Sequence, residues 1–415
     1  MKRVLGLGIT IAAVTVLAAG SASASDWPQF HNGPGRTGAN LTETLIGPKN
    51  VGTLVDKWHV SSGVSVEGMN SSPAVANGVV YVGSDDHKLY AVSTGGTVLW
   101  SRATKDKVRS SPAVAGGVVF VGSDDGHVYA WKTNGQALWV SDYLGGQVSA
   151  SPLVVNGIVY IGSHGGDFYA LKASTGKVLW SQHTWSVWDS ASFDGGTVFV
   201  GSDQNTVFAF AASSGNLRWS TDVGGRARGV PVVANGRVFV GTDAGRVMAL
   251  DESTGTVQWN TSALTNINGT TIGTGVVRGA PAFAGGTIFV PVGGLTLAGD
   301  PSQMWGTLWA IDAKTGQKLW RGWHWDGTSQ APAIADWTTV SPAYAGGIVY
   351  VASNDHRLYA FRASDGFELA PVNDGWTTAG AFKFPRGMQS SPAVVDGKLY
   401  IGCRDGRLYA LGLPK

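Results

Sequence analysis

Cysteine, methionine and charge are scarce in this 415-residue sequence: one Cys, five Met and 14% charged residues. With Cys403 alone, there is no internal disulfide framework, no CxxCH haem attachment and no cysteine-built zinc cluster. Beyond the first 24 residues no apolar run approaches the roughly 20 residues that cross a bilayer. No GxSxG elbow, P-loop or convincing helical period occurs. An excess of one charge sign is missing too. Once Lys2 and Arg3 are set aside, 28 basic residues face 28 acidic ones. That balance argues against a nucleic-acid partner or an anionic membrane surface.

Lys2 and Arg3 precede an apolar stretch, 4–19, and the small residues Ala22-Ser23-Ala24 follow it. This order reads as a secretory signal peptide over 1–24, cut near Ser25. Ser21 stands where a lipoprotein needs its acylated Cys, so no lipid anchor is expected. The expected product is an exported protein, extracellular or periplasmic, with no membrane span.

What the chain has in abundance is glycine, 60 residues, and tryptophan, 17 residues. Both are organised by repetition, which decides the fold before anything else does. SSPAVANGVVYVGSDDHKLYAV (71–92) returns as SSPAVAGGVVFVGSDDGHVYAW (110–131) and SSPAVVDGKLYIGCRDGRLYAL (390–411). Its proline recurs at Pro73, Pro112, Pro152, Pro231, Pro281, Pro342 and Pro392, with Ala191 in the same slot, which makes eight copies. The spacing is 39 or 40 residues, enlarged to 50, 61 and 50 over the last three intervals.

Each copy reads as four short strands: PAVA, a two-residue Asn-Gly or Gly-Gly turn, VVYVGS, KLYAV and VLW. The final copy stops after its third strand, and LVDKWHV (54–60) looks like a fourth strand lacking the other three. Joining the two closes a ring and removes two open sheet edges. The expectation is an all-β, eight-bladed β-propeller of four-stranded antiparallel blades, its last blade closed by the N-terminal strand. Residues 25–48 form a lead-in and 49–415 the propeller; a monomer is expected.

The phrase YALKASTGKVLW (169–180) returns as MALDESTGTVQW (248–259), with a Trp four residues after the Gly. Trp100, Trp139, Trp180, Trp219, Trp259 and Trp320 share that slot, Trp58 fills it in the closing strand, and Leu369 is the exception. These rings are expected to stack between blades as a girdle.

This Ala–ThrGly–Trp phrase resembles the docking motif of the quinoprotein propellers, the pyrroloquinoline-quinone (PQQ) repeat family, over residues 49–411. DWPQFHNGPGRTGAN (26–40) is similar to the lead-in of many members. The resemblance implies either a PQQ-dependent dehydrogenase or a non-catalytic binding propeller, since the family holds both.

In such blades the turns between strands two and three share a face with the links between blades. Here that face holds the insert LTLAGDPSQMWGT (295–307) and the long links 260–278, 321–340 and 370–389. Loops on a rigid frame are where binding residues collect. Three residues before each marker, near the channel on that face, stand Asn70, Arg109, Ser149, Trp188, Arg228, Arg278, Thr339 and Gln389. Arg109, Arg228 and Arg278 are cofactor-binding candidates, able to clamp a carboxylate-rich ligand, or else to pair with Asp189, Asp222 or nearby carbonyls. Trp337, in the Trp-rich link, joins them.

From the resemblance, Asp300 falls at the acidic position of the dehydrogenases, with Asp326 or Asp336 beyond it; Asp300 and Asp326 are the implied catalytic residues. Ca²⁺ or a lanthanide beside PQQ would draw on Glu67 and Asp300. Gly294 stands where the family's Asn ligand is found, and the vicinal disulfide of many members cannot form with one Cys. His87, His127, His164 and His356 fall in turns at different offsets, unlike a metal set. Two functions follow: a scaffold binding a protein or extended ligand through the loop-rich face, or a PQQ- and metal-dependent alcohol or sugar dehydrogenase.

Overall fold

The computed structural model describes residues 26–63, 68–261, 266–267, 270–271, 275–297, 300–325, 330–332, 340–369, 377–378 and 381–415. Every copy of the repeat folds as one antiparallel sheet. Blade 1 runs from Ala74–Ala76 through Val79–Ser84 and Lys88–Ser93 to Val98–Ala103. Blades 2 to 6 follow the same order, and blade 6 lengthens its central strands to Thr287–Leu297 and Asp300–Asp312. Burial rises from rim to centre. Val79–Ser84 is almost wholly buried, whereas Val98–Ala103 is exposed or half-buried throughout. Central strands are sandwiched between neighbouring blades on both faces, so they are written as near-continuous apolar words such as VVYVG.

Val55–Ser61 pairs antiparallel with Arg407–Gly412, Trp58 opposite Ala410, and completes blade 8. The eight-bladed ring closed by the N-terminal strand is therefore the fold. Blade 7, which lacks the tryptophan, builds its outer strand from two pieces. Phe361 bridges Glu368, and Ala381–Lys383 then pairs with Arg357–Tyr359. Among the described residues no helix is long and apolar enough to cross a membrane.

Each girdle tryptophan docks on the next blade. Trp139 Nε1 donates to Ala173 O at 2.9 Å, and a Cβ on Gly176 would lie 2.4 Å from its ring. Gly176 also holds φ at 72°, so the ThrGly turn needs glycine twice over, for conformation and for room. Trp58, Trp100, Trp180, Trp219, Trp259 and Trp320 donate in the same way to Thr94, Thr133, Ala212, Glu252, Ala313 and Ala363. Strand pairing slips by one residue beside each tryptophan, for example between Ala170 and Leu171, which tilts the indole toward its neighbour. Each ring buries on the order of 150–250 Å², or roughly 4–6 kcal/mol as an upper bound.

The inner strands face the channel with one edge unpaired, and the lead-in satisfies it. Residues 26–40 circle the channel and meet all eight blades in order. Val75, Val114, Phe193, Val233, Phe283 and Tyr344 donate their amides to the carbonyls of Trp27, Pro28, Pro34, Gly35, Thr37 and Gly38 at 2.7–2.9 Å. Val154 donates to Gln29 Oε1, and Asn40 Nδ2 donates to Val394 O. A sheet edge that would otherwise leave buried polar groups unmet is thereby closed.

The Ser before each marker proline links the blades as well. Ser72, Ser111 and Ser151 donate their amides to the hydroxyls of Ser111, Ser151 and Ser190 at 2.9–3.0 Å. Ala280, Ser341 and Ser391 continue the ring to Ser341, Ser391 and back to Ser72. Val230 and Ala280 interrupt it because they have no hydroxyl.

Candidate functional site

The channel has a closed floor and a charged mouth. At the floor, Arg36 is fully buried. Its Nε and Nη2 donate to Ala191 O at 3.0 Å and Pro152 O at 2.9 Å, and its Nη1 to Phe30 O. Burial pushes its pKa down to about 9, which still keeps the charge at neutral pH. Asp189 is the facing carboxylate. It borders the channel and keeps some solvent contact, yet protein surrounds it, and burial raises it to about 7. It accepts Ser190 N at 2.8 Å and also meets the Val230 amide, where the serine ring is broken. His31 spans Arg36 O and Pro342 O at 2.6 and 2.8 Å; burial lowers its pKa to about 4, and the two carbonyls oppose that shift.

At the mouth, the residues three before the markers interleave with aspartates that stand one or two residues past the second strands of blades 1, 2, 4 and 5, namely Asp85, Asp124, Asp203 and Asp243. Arg228 Nε and Nη2 donate to the two oxygens of Asp203 at 2.8 and 3.3 Å. Arg278 makes the same fork with Asp243 at 2.9 and 3.3 Å, and Asp243 also lies 3.8 Å from Arg228. Bidentate pairing of this kind fixes direction as well as charge. The hydrogen bond to Asp203 raises the Arg228 pKa further. Trp188 joins the chain. Its Nε1 donates to Asp203 Oδ2 at 2.7 Å, Arg228 lies 5.3 Å above the ring, and His164 packs 4.1 Å away. His164 Nε2 meets Ser149 Oγ at 2.8 Å, and burial lowers its pKa. On the far side, Arg109 reaches Asp85 at 3.5 Å and Asp124 at 3.4 Å, with Lys107 3.7 Å from Asp85.

The structure thus places Arg109, Arg228 and Arg278 around one mouth, each engaged by aspartates. Of the two partners considered from sequence, Asp189 pairs with Arg36 instead, and Asp222 caps Gly224 N at 2.8 Å. The actual partners carry a signal in the repeated words GSD and GTD. In SDDH and SDDG the two aspartates divide the work. Asp85 and Asp124 face Arg109, while Asp86 and Asp125 cap the turn amides of Lys88 and His127.

Asp300 begins the second strand of the blade 6 hairpin, its backbone opposite Leu297. Glu67, Asp326, Asp336 and Trp337 lie outside the described residues. Among the described residues, no three His, Cys, Asp or Glu side chains assemble as a metal site. The described mouth does not fit a multiply carboxylated quinone. Its three guanidinia and the Lys107 ammonium are already matched by four aspartates, which would face the incoming carboxylates.

Backbone hairpins rise on the same face between blades 5 and 8. They are Asn266–Ile267 with Thr270–Thr271, the tip of the blade 6 strands, Trp323–Trp325 with Gln330–Pro332, and Thr377–Thr378 with Ala381–Lys383. Blades 1 to 4 carry only short turns there. The opposite face shows the tight inner turns, where Asn77, Asn156, Asn235 and Asp396 hold positive φ.

A tryptophan-docked ring of eight four-stranded blades defines the class of PQQ-like repeat propellers. The chain belongs to the PQQ-like β-propeller repeat family, matching the family described as outer membrane protein assembly factor BamB over 49–186, 182–303 and 270–413. Among curated proteins none matches it. Among solved structures it is similar to a quinohemoprotein alcohol dehydrogenase from Comamonas testosteroni, at 17% identity and TM-score 0.74, covering 94% of this chain and 80% of that one. A europium-containing methanol dehydrogenase is similar at 16% identity and TM-score 0.74, with 94% and 98% covered. BamB from Moraxella catarrhalis is similar at 15% identity and TM-score 0.64, with 86% and 97% covered. At these identities the likeness is one of fold.

Proposed function

We propose that this protein is an exported, non-catalytic scaffold that binds a protein partner or an extended ligand through its hairpin-bearing face. One observation carries the reading: the additions to an otherwise uniform ring are confined to that face, on blades 5 to 8. The aspartate-matched arginines support it, because they leave the mouth poorly suited to an anionic cofactor. Fold alone supports both family roles, since function resides in the site.

The test replaces 296–304 with a two-residue turn and compares capture of cross-linked partners from the exported fraction. Loss of a captured species in the variant, at unchanged Tm, is expected. Equal capture by both proteins would remove this face from the reading. Saturable PQQ binding with Ca²⁺ and dye-linked oxidation of alcohols or sugars would replace it with the dehydrogenase.

A further inference from the structure

A second feature of the same face lies away from the hairpins, on the low blades 2 and 3. Tyr143 and Trp185 stand there 63% and 51% exposed. Each is coupled to a histidine. His127 meets the Tyr143 ring edge-on at 5.9 Å, and His183 meets Trp185 at 5.0 Å and 63°. Both imidazoles are held through Nδ1, His127 at Ser141 O, 2.9 Å, and His183 at Asp167 Oδ1, 2.8 Å. That leaves Nε2 of each for a ligand. The couples are neighbours across one blade seam. Gly146, three residues after Tyr143, lies against Gly165, and Trp185 lies beside Gly166.

Trp185 holds its place at a cost. The links leaving blades 2 and 4 turn at Gly145-Gly146 and Gly224-Gly225, with φ of 82° and 67° at the first glycine. The link leaving blade 3 is the shortest of the three, 184–191 between its strands against 141–152 and 223–231, and Trp185 itself takes the left-handed backbone, φ 64°. A bulky residue there costs about 1 kcal/mol or more, a conformation that clusters at functional sites. An exposed indole gains little packing to offset it.

We propose that these two couples form a platform for an uncharged glycan chain. Pyranose rings stack their apolar C–H faces on Tyr143 and Trp185, and their hydroxyls bond His127 and His183 Nε2. The chemistry selects this occupant. The charged groups bound to the couples are both carboxylates, Asp167 on His183 and Asp125 on the His127 amide, so an anionic polymer finds nothing to attract it. The segments 141–148 and 184–189 are irregular, so they offer no strand edge on which a peptide adds a strand. The inference rests on reading this face as a binding surface, but uses none of the hairpins.

Affinity electrophoresis of the mature chain in gels containing laminarin, mixed-linkage β-glucan, xylan or dextran, with the anionic polymer alginate as the control, tests it. Retardation by at least one polymer is expected, weakened about tenfold in Trp185→Ala and in Tyr143→Ala, and kept when 296–304 is excised. Trp185→Gly relieves the backbone, so it should lose the retardation while Tm stays within about 3 °C. No retardation in any gel, or retardation equal in wild type and both alanine variants, overturns the proposal. So does retardation confined to alginate and abolished by salt, which identifies charge rather than stacking. Loss of retardation on hairpin excision alone places the ligand on the hairpins and likewise overturns it.

Discussion

The indole of Trp58 lies against Gly96 across the seam between the last blade and the first, and its Nε1 donates to Thr94 O at 3.1 Å. The same contact recurs where Trp320 meets Gly366, one seam before the junction that Leu369 leaves without a tryptophan. A ring closed by two distant chain ends therefore uses the same device as its interior seams.

Trp58→Ala is expected to lower stability by about 3–5 kcal/mol, since a large half-buried ring and its hydrogen bond are both lost. Gly176→Ala should cost about 2–4 kcal/mol, because a Cβ meets the Trp139 ring while φ stays positive. Urea unfolding measures both. A cost under about 1 kcal/mol for Trp58→Ala would mean that the terminal strand closes the ring without its tryptophan.

Arg36→Met is expected to destabilise the protein by about 3 kcal/mol or more, because three buried carbonyls lose their donors and Asp189 its counter-charge. Arg36→Lys should restore little, lacking the planar fork. Limited proteolysis within 26–40 should accelerate in both. An unchanged cleavage rate would show that the backbone ladder holds the lead-in without Arg36.

The arginines of the mouth should bind anions only when released. Asp203→Asn with Asp243→Asn frees Arg228 and Arg278, and citrate or PQQ affinity should rise about tenfold or more. Calorimetric titration reads this directly. Tight anion binding by the wild type, lost in Arg228→Ala and Arg278→Ala, would instead establish the clamp.

Glu368 predicts a pH dependence. Burial raises its carboxyl to about 9, with Arg357 pulling it back and Asp355 adding to the rise. The folded pKa lies above the unfolded one, so the folded state binds more protons between about 4.5 and 9. Stability from this group is complete below pH 4.5 and is lost as pH climbs toward 9. Glu368→Gln should flatten that decline and exceed wild type by about 1–3 kcal/mol at alkaline pH. Melting curves from pH 5 to 9.5 check it, and parallel curves for the two proteins would reject the assignment.

The blades were legible because their information is local. PAVA, the Asn-Gly turn and VVYVGS each specify a strand or turn within a few residues, and ThrGly with its tryptophan marks each seam. Even the ring closure at Trp58 could be read, since one end lacks what the other supplies. The lead-in was recognisable as a segment, but its passage past all eight inner strands was not, because it uses backbone carbonyls that any sequence possesses. The mouth was half legible. Register placed Arg109, Arg228 and Arg278, yet their aspartates lie on preceding or following turns, 25 residues away for Asp203 and Arg228.

From the sequence alone came the number of blades, their closure and their girdle, since each follows from short-range pattern repeated eight times. Tertiary structure decided which charges meet, where the channel ends and which aromatic rings remain in water. Arg36 reaches Ala191 across 155 residues and Pro152 across 116, and only the folding of the ring brings such groups within hydrogen-bonding distance.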